Sequence, residues 1–171
     1  MKGLLSTLVC IVGLAGLCGC AGYHLGPVNR QVAGARSIQV IPIANDTIEP
    51  RLSEPVTHSL RRRLQQDGTY RLATRDDGDV ILRGSIKEFR RSELSFQPRD
   101  IVTIRDYQVT IVASITAVDR LSGRVLLERD VSGRTTLRVG DDLASAERQA
   151  IPLLAEDLAR NVTTLLVEGS W

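Results

Sequence analysis

Thiols are scarce in this chain and are confined to its first 20 residues. The three cysteines are Cys10, Cys18 and Cys20, so none remains downstream to form a disulfide, a thiolate metal site or a thiol nucleophile. The folded part of the chain must therefore rely on its apolar core. Its length suffices for that, because a domain of about 150 residues buries roughly 68–70% of its unfolded surface.

Histidines and phosphate-binding motifs are equally sparse, which leaves no enzyme signature. The two histidines, His24 and His58, lie far apart in the sequence and in no metal-ligand spacing. Neither a Walker pattern nor a Gly-x-Gly-x-x-Gly pattern occurs. The acidic run at 76–79 lacks the spacing and the distal glutamate of a calcium loop. We therefore expect no catalysis, no bound metal and no cofactor.

Lysine is also rare, because arginine carries almost all of the positive charge. Lys87 is the one lysine after residue 2, and the formal net charge is only +2. This balance argues against a nucleic-acid-binding domain, which typically has a basic stripe and a high pI. Arginine favours contacts with phosphate and carboxylate groups, but a GC-rich genome also favours arginine codons, so its abundance alone assigns no function.

The N-terminal segment has the pattern of a bacterial lipoprotein signal. Lys2 supplies a positive charge, apolar residues follow as far as Leu17, and the small residue Gly19 precedes Cys20, as in a lipobox. We therefore predict a cleaved signal peptide over residues 1–19 and a membrane anchor through lipid on Cys20. An ordinary signal peptide or an uncleaved anchor is the alternative, although the glycine-interrupted apolar run is shorter than the ~20 residues of a membrane span.

Residues 20–36 are predicted to form an extended tether between the lipid and the folded domain, because they contain glycine and proline and lack apolar periodicity. Ala21 is not the aspartate that retains lipoproteins in the inner membrane. We therefore expect delivery to the outer membrane, with the domain on its periplasmic face. The remaining residues, 37–171, are predicted to form a single domain.

The first half of this domain predicts a strand, a helix and a second strand. A β-rich run at 37–43 contains Pro42, so this strand lies at a sheet edge or ends there. An apolar stripe with a spacing of four predicts a helix that begins at the expected N-cap Ser53 and ends at Gly68. A short strand at 70–74 follows.

Alternation with a period of two then predicts three long strands, which extend to about residue 139. We expect a bulge near Glu88, a hairpin turn at 97–100 and Val125 on the buried face. A final helix begins near Leu143, and Pro152 is expected to kink or split it.

Each long strand has one polar face, which indicates that helices cover only one side of the sheet. We therefore predict an α+β two-layer sandwich. Its mixed, mostly antiparallel sheet of about four to five strands carries two helices on one face. The open polar face is the natural surface for a partner.

Together these features resemble the LptE family of lipopolysaccharide-assembly lipoproteins. The matching segments are Gly22-Tyr23-His24-Leu25 after Cys20, the strand at 38–43 with Asn45-Asp46-Thr47-Ile48-Glu49-Pro50, Gln65-Gln66-Asp67-Gly68 before Tyr70-Arg71-Leu72, 79–84, and Tyr107-Gln108-Val109. The resemblance covers essentially all of residues 20–171, and Ala21, inserted before the first motif, is its one departure.

The resemblance implies a non-enzymatic outer-membrane lipoprotein that plugs and helps to assemble the LptD β-barrel and assists the insertion of lipopolysaccharide into the outer leaflet. It also implies contacts between basic side chains and lipid A phosphates. Arg99 in the hairpin turn and Arg138 match these positions loosely, with Arg105 and Arg134 as nearby alternatives; all four could equally be solvated arginines. A lipoprotein adaptor or activator of cell-wall synthesis or of a secretion pore is the other interpretation.

Overall fold

A computed structural model of the chain describes residues 33–97, 100–138 and 143–169, without the side chains of 95–97 and 100–105. The elements are β1 (Arg36–Val40), β2 (Ala44–Asn45), α1 (Ser53–Asp67), β3 (Tyr70–Leu72), β4 (Val80–Gln97), β5 (Asp100–Asp119), β6 (Val125–Arg138) and α2 (Leu143–Glu168). The predicted order of strands and helices is confirmed, and the two-residue strand β2 is added to it.

One mixed sheet forms the first layer. Its strand order is β3-β1-β4-β5-β6, and β2 pairs with β4 off this path. β1 is parallel to β3 and β4, and β2 is parallel to β4, whereas β4, β5 and β6 form an antiparallel meander. Because β1 has a neighbour on each side, Pro42 does not mark a sheet edge; it follows the end of β1 at Val40.

The core lies between this sheet and the two helices, which confirms the predicted α+β fold. From Val109 to Ala117, every second residue of β5 is buried, as the alternation predicts: Val109, Ile111, Ala113, Ile115 and Ala117. The helices contribute stripes with a spacing of about four: Val56, Leu60 and Leu64 from α1, and Leu154, Leu158, Val162 and Leu166 from α2. Burying a large apolar side chain contributes roughly 1.5–3 kcal/mol, so this single cluster is the main source of stability.

Register shifts occur at several points of the meander, and two of them bear on the sequence predictions. The predicted bulge near Glu88 is confirmed, since the pairing of β4 with β5 shifts between Ile86 and Glu88. An unexpected shift at the start of β6 leaves Leu126 without a partner on β5. Leu126 and Leu127 are both buried there, whereas Val125 is 51% exposed. The prediction that Val125 faces the core is therefore wrong, because an added residue moves every side chain before it to the other face.

Helix α1 begins without the predicted cap. Its N-cap position is Leu52, which makes no side-chain cap bond, while the hydroxyl of Ser53 donates to the carbonyl oxygen of Ile43. Ser53 therefore attaches the helix to the preceding chain and is not an N-cap. The other end is as predicted: Gly68 has a φ of 77° and its N–H donates to the carbonyl of Leu64 at 3.2 Å.

Helix α2 runs unbroken from Leu143 to Glu168 with Pro152 inside it, so the predicted split does not occur. Gly133 allows this helix to lie directly against the middle of β6. A Cβ atom on Gly133 would lie 2.7 Å from both the carbonyl oxygen of Leu154 and the backbone nitrogen of Leu158.

Two side chains of α2 bind the outer edge of β6 at this contact. The Oδ2 atom of Asp157 accepts a hydrogen bond from the backbone N–H of Arg134 at 2.9 Å. One turn later, the Nδ2 atom of Asn161 donates to the carbonyl oxygen of Ser132 at 2.8 Å. Together they supply an acceptor and a donor to the strand edge, as a neighbouring strand would.

Candidate functional site

The five predicted site residues are divided between the described and the undescribed parts of the chain. Cys20 and Arg99 lie outside the described residues. Arg105 lies in β5, where the structure describes the backbone but not the side chain. Arg134 and Arg138 are exposed on β6, and their even spacing places both on the same face of the sheet.

Arg138 and Arg134 differ in how their charges are balanced. The Nε atom of Arg138 donates to the Oδ1 atom of Asp106 at 3.0 Å, and these residues are direct partners across β5 and β6. Arg134 pairs with Thr110 in the same register, and its guanidinium makes no ion pair with any residue that the structure describes. Of the two, Arg134 is therefore the better placed to bind an external anion.

The register adds Arg90, which was not among the predicted site residues. Thr110 has Arg90 of β4 on one side and Arg134 of β6 on the other. Two strand spacings of about 4.8 Å separate these arginines in the sheet. Arg90 also forms an exposed ion pair with Glu88. This row can be identified only from the pairing of the three strands, because the positions of these residues in the sequence do not indicate that they are neighbours.

The neighbouring Arg91 has a different environment. It pairs with the buried Val109, and its guanidinium lies 4.9 Å from the ring centroid of Phe89. It binds Glu49 at 3.1 Å and also binds Glu147 of α2. Arg91 therefore joins the chain before α1 to β4 and α2, and two carboxylates balance its charge.

The sheet face away from the helices is mostly polar and carries charges of both signs. β5 places Gln108, Thr110, Val112, Ser114 and Thr116 along its centre. Arginines flank the half nearer the β4–β5 hairpin: Arg90, Arg134 and Arg138. In the other half, Thr116 pairs with Glu128 of β6 and with Arg83 of β4, and Ser114 pairs with Asp130. The arginines of the first half can bind an anion, whereas the second half carries basic and acidic side chains on opposite sides of β5.

Carboxylates at the other end of the sheet have structural partners. The Oδ2 atom of Asp79 accepts bonds from the backbone N–H and the hydroxyl of Ser37, both at 2.7 Å, and these bonds lower the pKa of Asp79. The backbone N–H and hydroxyl of Ser122 similarly lower the pKa of Asp119, which also binds Arg36. Both carboxylates therefore stay ionised at neutral pH and fix the adjoining turns.

Other kinds of site are missing from the part of the chain that the structure describes. It contains no group of three or more histidine, cysteine, aspartate or glutamate residues that could hold a metal. None of its helices has the length and hydropathy needed to cross a membrane. His58 is exposed on α1, and the hydroxyl of nearby Ser53 binds the carbonyl of Ile43.

The same fold occurs in solved structures of bacterial proteins. A candidate lipoprotein of Caulobacter crescentus CB15 is 14% identical with a TM-score of 0.55, over 78% of this chain and 92% of that one. A minor lipoprotein of Acinetobacter baumannii is 14% identical with a TM-score of 0.54, over 78% and 93%. A hypothetical protein of Chlamydia trachomatis is 10% identical with a TM-score of 0.55, over 78% and 95%. At these identities the similarity concerns the fold alone.

Sequence comparison gives a more specific result. No curated protein sequence matches this chain. The family model of LptE, described as lipopolysaccharide-assembly, matches residues 35–166. The matched range contains every strand, all of α1 and nearly all of α2, together with the arginines of the open sheet face.

Proposed function

Since this chain belongs to the LptE family of lipopolysaccharide-assembly proteins, we propose that it is an outer-membrane lipoprotein that plugs the LptD β-barrel. In this role it helps to assemble the barrel and assists the insertion of lipopolysaccharide into the outer leaflet, without catalysis. The observation that carries the proposal is the open, polar sheet face. Such a face suits the water-filled lumen of a wide barrel, whose inner wall is also polar.

The N-terminal segment supplies the anchor in this proposal. Residues 1–19 act as a signal peptide, Cys20 carries the lipid, and 20–36 connect it to the domain. A single acyl chain binds a membrane only marginally, whereas two or more give stable attachment. A multiply acylated Cys20 therefore keeps the domain beside the membrane in which the barrel lies.

The arginine row supplies the contact with lipopolysaccharide. Arg134 makes no ion pair with a described residue and lies across Thr110 from Arg90, so the two can bind phosphate groups of lipid A from opposite sides. Arginine suits this because its planar fork forms paired hydrogen bonds with phosphate oxygens. Arg138 lies two positions further along the same face, and Arg99 and Arg105 are further contacts in this proposal.

Purification of the protein from detergent-extracted membranes tests the role. We expect a large outer-membrane β-barrel to copurify in roughly equal amount. If a cell-wall synthase or a secretion pore copurifies in place of a barrel, the protein is an adaptor and the proposal is wrong. The Cys20→Ala variant should remain an unlipidated precursor, and a mature protein whose mass includes no acyl chains would contradict the anchor.

Charge reversal tests the lipid contact separately. Arg134→Glu and Arg138→Glu should weaken binding of purified lipopolysaccharide, while the thermal unfolding midpoint stays close to that of the wild type. Arg63→Glu is the matched control, because Arg63 is exposed on α1, away from the open sheet face. Equal binding by all three variants would show that these arginines are ordinary solvated residues that do not contact lipopolysaccharide.

A further inference from the structure

Strand β6 is the last strand of the sheet beyond β5, so among the described residues one of its edges has no neighbouring strand. The bonds from Asp157 and Asn161 show that the backbone groups of Arg134 and Ser132 point to this edge. The register between β5 and β6 is uninterrupted from Arg138 to Leu127. Every second residue therefore has the same orientation, and the backbone N–H and C=O groups of Glu128 and Asp130 also point to the edge.

The two halves of this edge differ in whether their backbone groups have hydrogen-bond partners. Side chains of α2 bind the backbone at Ser132 and Arg134, but within the described part of the chain no group binds the backbone N–H of Glu128 or Asp130. Residues 128–130 are all exposed. A row of unpaired N–H and C=O groups on an exposed edge is a template for pairing with another strand.

A groove lies beside this unpaired segment. It is an open groove lined by residues 126–129 of β6 and the end of α2, and its volume is about 510 Å³. This volume lies within the range typical of ligand sites. Leu126 and Leu165 supply apolar surface to its walls. An added chain could therefore form hydrogen bonds with the backbone of β6 and also make an apolar contact.

The charges around the groove determine which kind of peptide segment can bind there. Glu128, Asp130 and Glu168 are exposed carboxylates, against the single guanidinium of Arg129. A second copy paired through the same edge would bring carboxylates against carboxylates, which is unfavourable for cross-strand neighbours. A segment that carries basic side chains has the complementary charge.

We propose that residues 126–130 of β6 form a strand-addition site for an extended peptide segment that carries lysine or arginine side chains. The segment hydrogen-bonds to the backbone of Glu128 and Asp130, and its basic side chains contact the surrounding carboxylates. In this mode of recognition the main chain supplies affinity and the side chains supply specificity. The site lies on the sheet edge and does not depend on the role proposed above for the open face.

Hydrogen exchange measured by NMR tests the site with a peptide of about seven residues in which lysine and valine alternate. At about ten times its Kd, the exchange of the Glu128 and Asp130 amides should slow roughly tenfold. The Arg134 amide, already bound to Asp157, is the internal control and should not change. The same peptide methylated on alternate backbone nitrogens, and a glutamate–valine peptide, should have no effect. Equal slowing by the methylated peptide, or none by any peptide, would overturn the proposal.

Proline substitution provides a matched pair of variants. Glu128→Pro removes an N–H that faces the free edge, where proline is tolerated, and it should abolish peptide binding. Thr136→Pro removes an N–H of the same orientation beyond the part of the edge that α2 binds, and it should leave binding intact. If Glu128→Pro does not fold, the double variant Glu128→Lys/Asp130→Lys replaces it and should prefer the glutamate–valine peptide. Wild-type binding by either Glu128 variant would contradict the proposal.

Discussion

Gly133 and Leu158 bring strand and helix so close together that no side chain fits between them: a Cβ on Gly133 would lie 2.7 Å from the backbone nitrogen of Leu158. A flexible side chain could move aside to make room for an added atom, but two backbone segments cannot. This contact decides how α2 covers the outer strand, because it places Asp157 and Asn161 beside the edge of β6.

The Gly133→Ala variant should therefore be destabilised by about 1–3 kcal/mol, as expected when a packed core is overfilled. Urea unfolding measures this loss. Ser132→Ala is the control, because its side chain lies on the open face, and it should change stability by less than about 0.5 kcal/mol. Equal stability of the two variants would show that α2 can move away from β6 without a loss in the free energy of unfolding.

The Asp157→Ala variant should lose about 0.5–1.5 kcal/mol, because the backbone N–H of Arg134 loses its acceptor. Hydrogen exchange should show faster exchange of the Arg134 amide. Glu156→Ala is the matched control on the same helix, since Glu156 makes only an exposed contact with Arg62 at 3.7 Å, which contributes little. Unchanged exchange at Arg134 would contradict the proposed binding of the strand edge.

The Tyr70→Phe variant should be as stable as the wild type or more stable. Tyr70 is 2% exposed, and its hydroxyl has no hydrogen-bond partner among the described residues; burial also raises its pKa. A buried hydroxyl without a partner costs roughly 1–3 kcal/mol, so its removal relieves that cost. A clear loss of stability in urea unfolding would show that the hydroxyl binds a residue outside the described ranges.

Acid should destabilise the protein through Asp79 and Asp119. Hydrogen bonds in the folded state lower the pKa of each below the ordinary value of 3.8. Their stabilisation is therefore complete above that value and is lost as the pH falls through 3.8 towards the lower folded pKa. The free energy of unfolding should decline in this range, and less steeply for Asp79→Asn. An identical decline for wild type and variant would remove Asp79 from this explanation.

The sequence predicts those features that depend on burial alone. Alternation in β5 identifies its buried face, and the stripe in α1 identifies the helix, because the period of a pattern follows from local geometry. Features that depend on strand neighbours were missed or mistaken. The bulge at Leu126 and the pairing of Arg90 with Thr110 require the register, and Ser53 binds Ile43, ten residues earlier, in place of its own helix. The local structural preferences of these residues do not indicate which distant residues become their partners.

The length of the β4–β5 ribbon has a consequence for what the domain can reach. β4 has 18 residues and pairs with β5 as far as Gln97 and Asp100, so at about 3.3 Å per residue it spans at most about 60 Å. Helix α2, with 26 residues, covers only about 39 Å. The upper limit for the ribbon is above the thickness of a bilayer with its headgroups, which measures about 40–45 Å. The two ends of the ribbon can therefore contact groups that lie far apart along its axis.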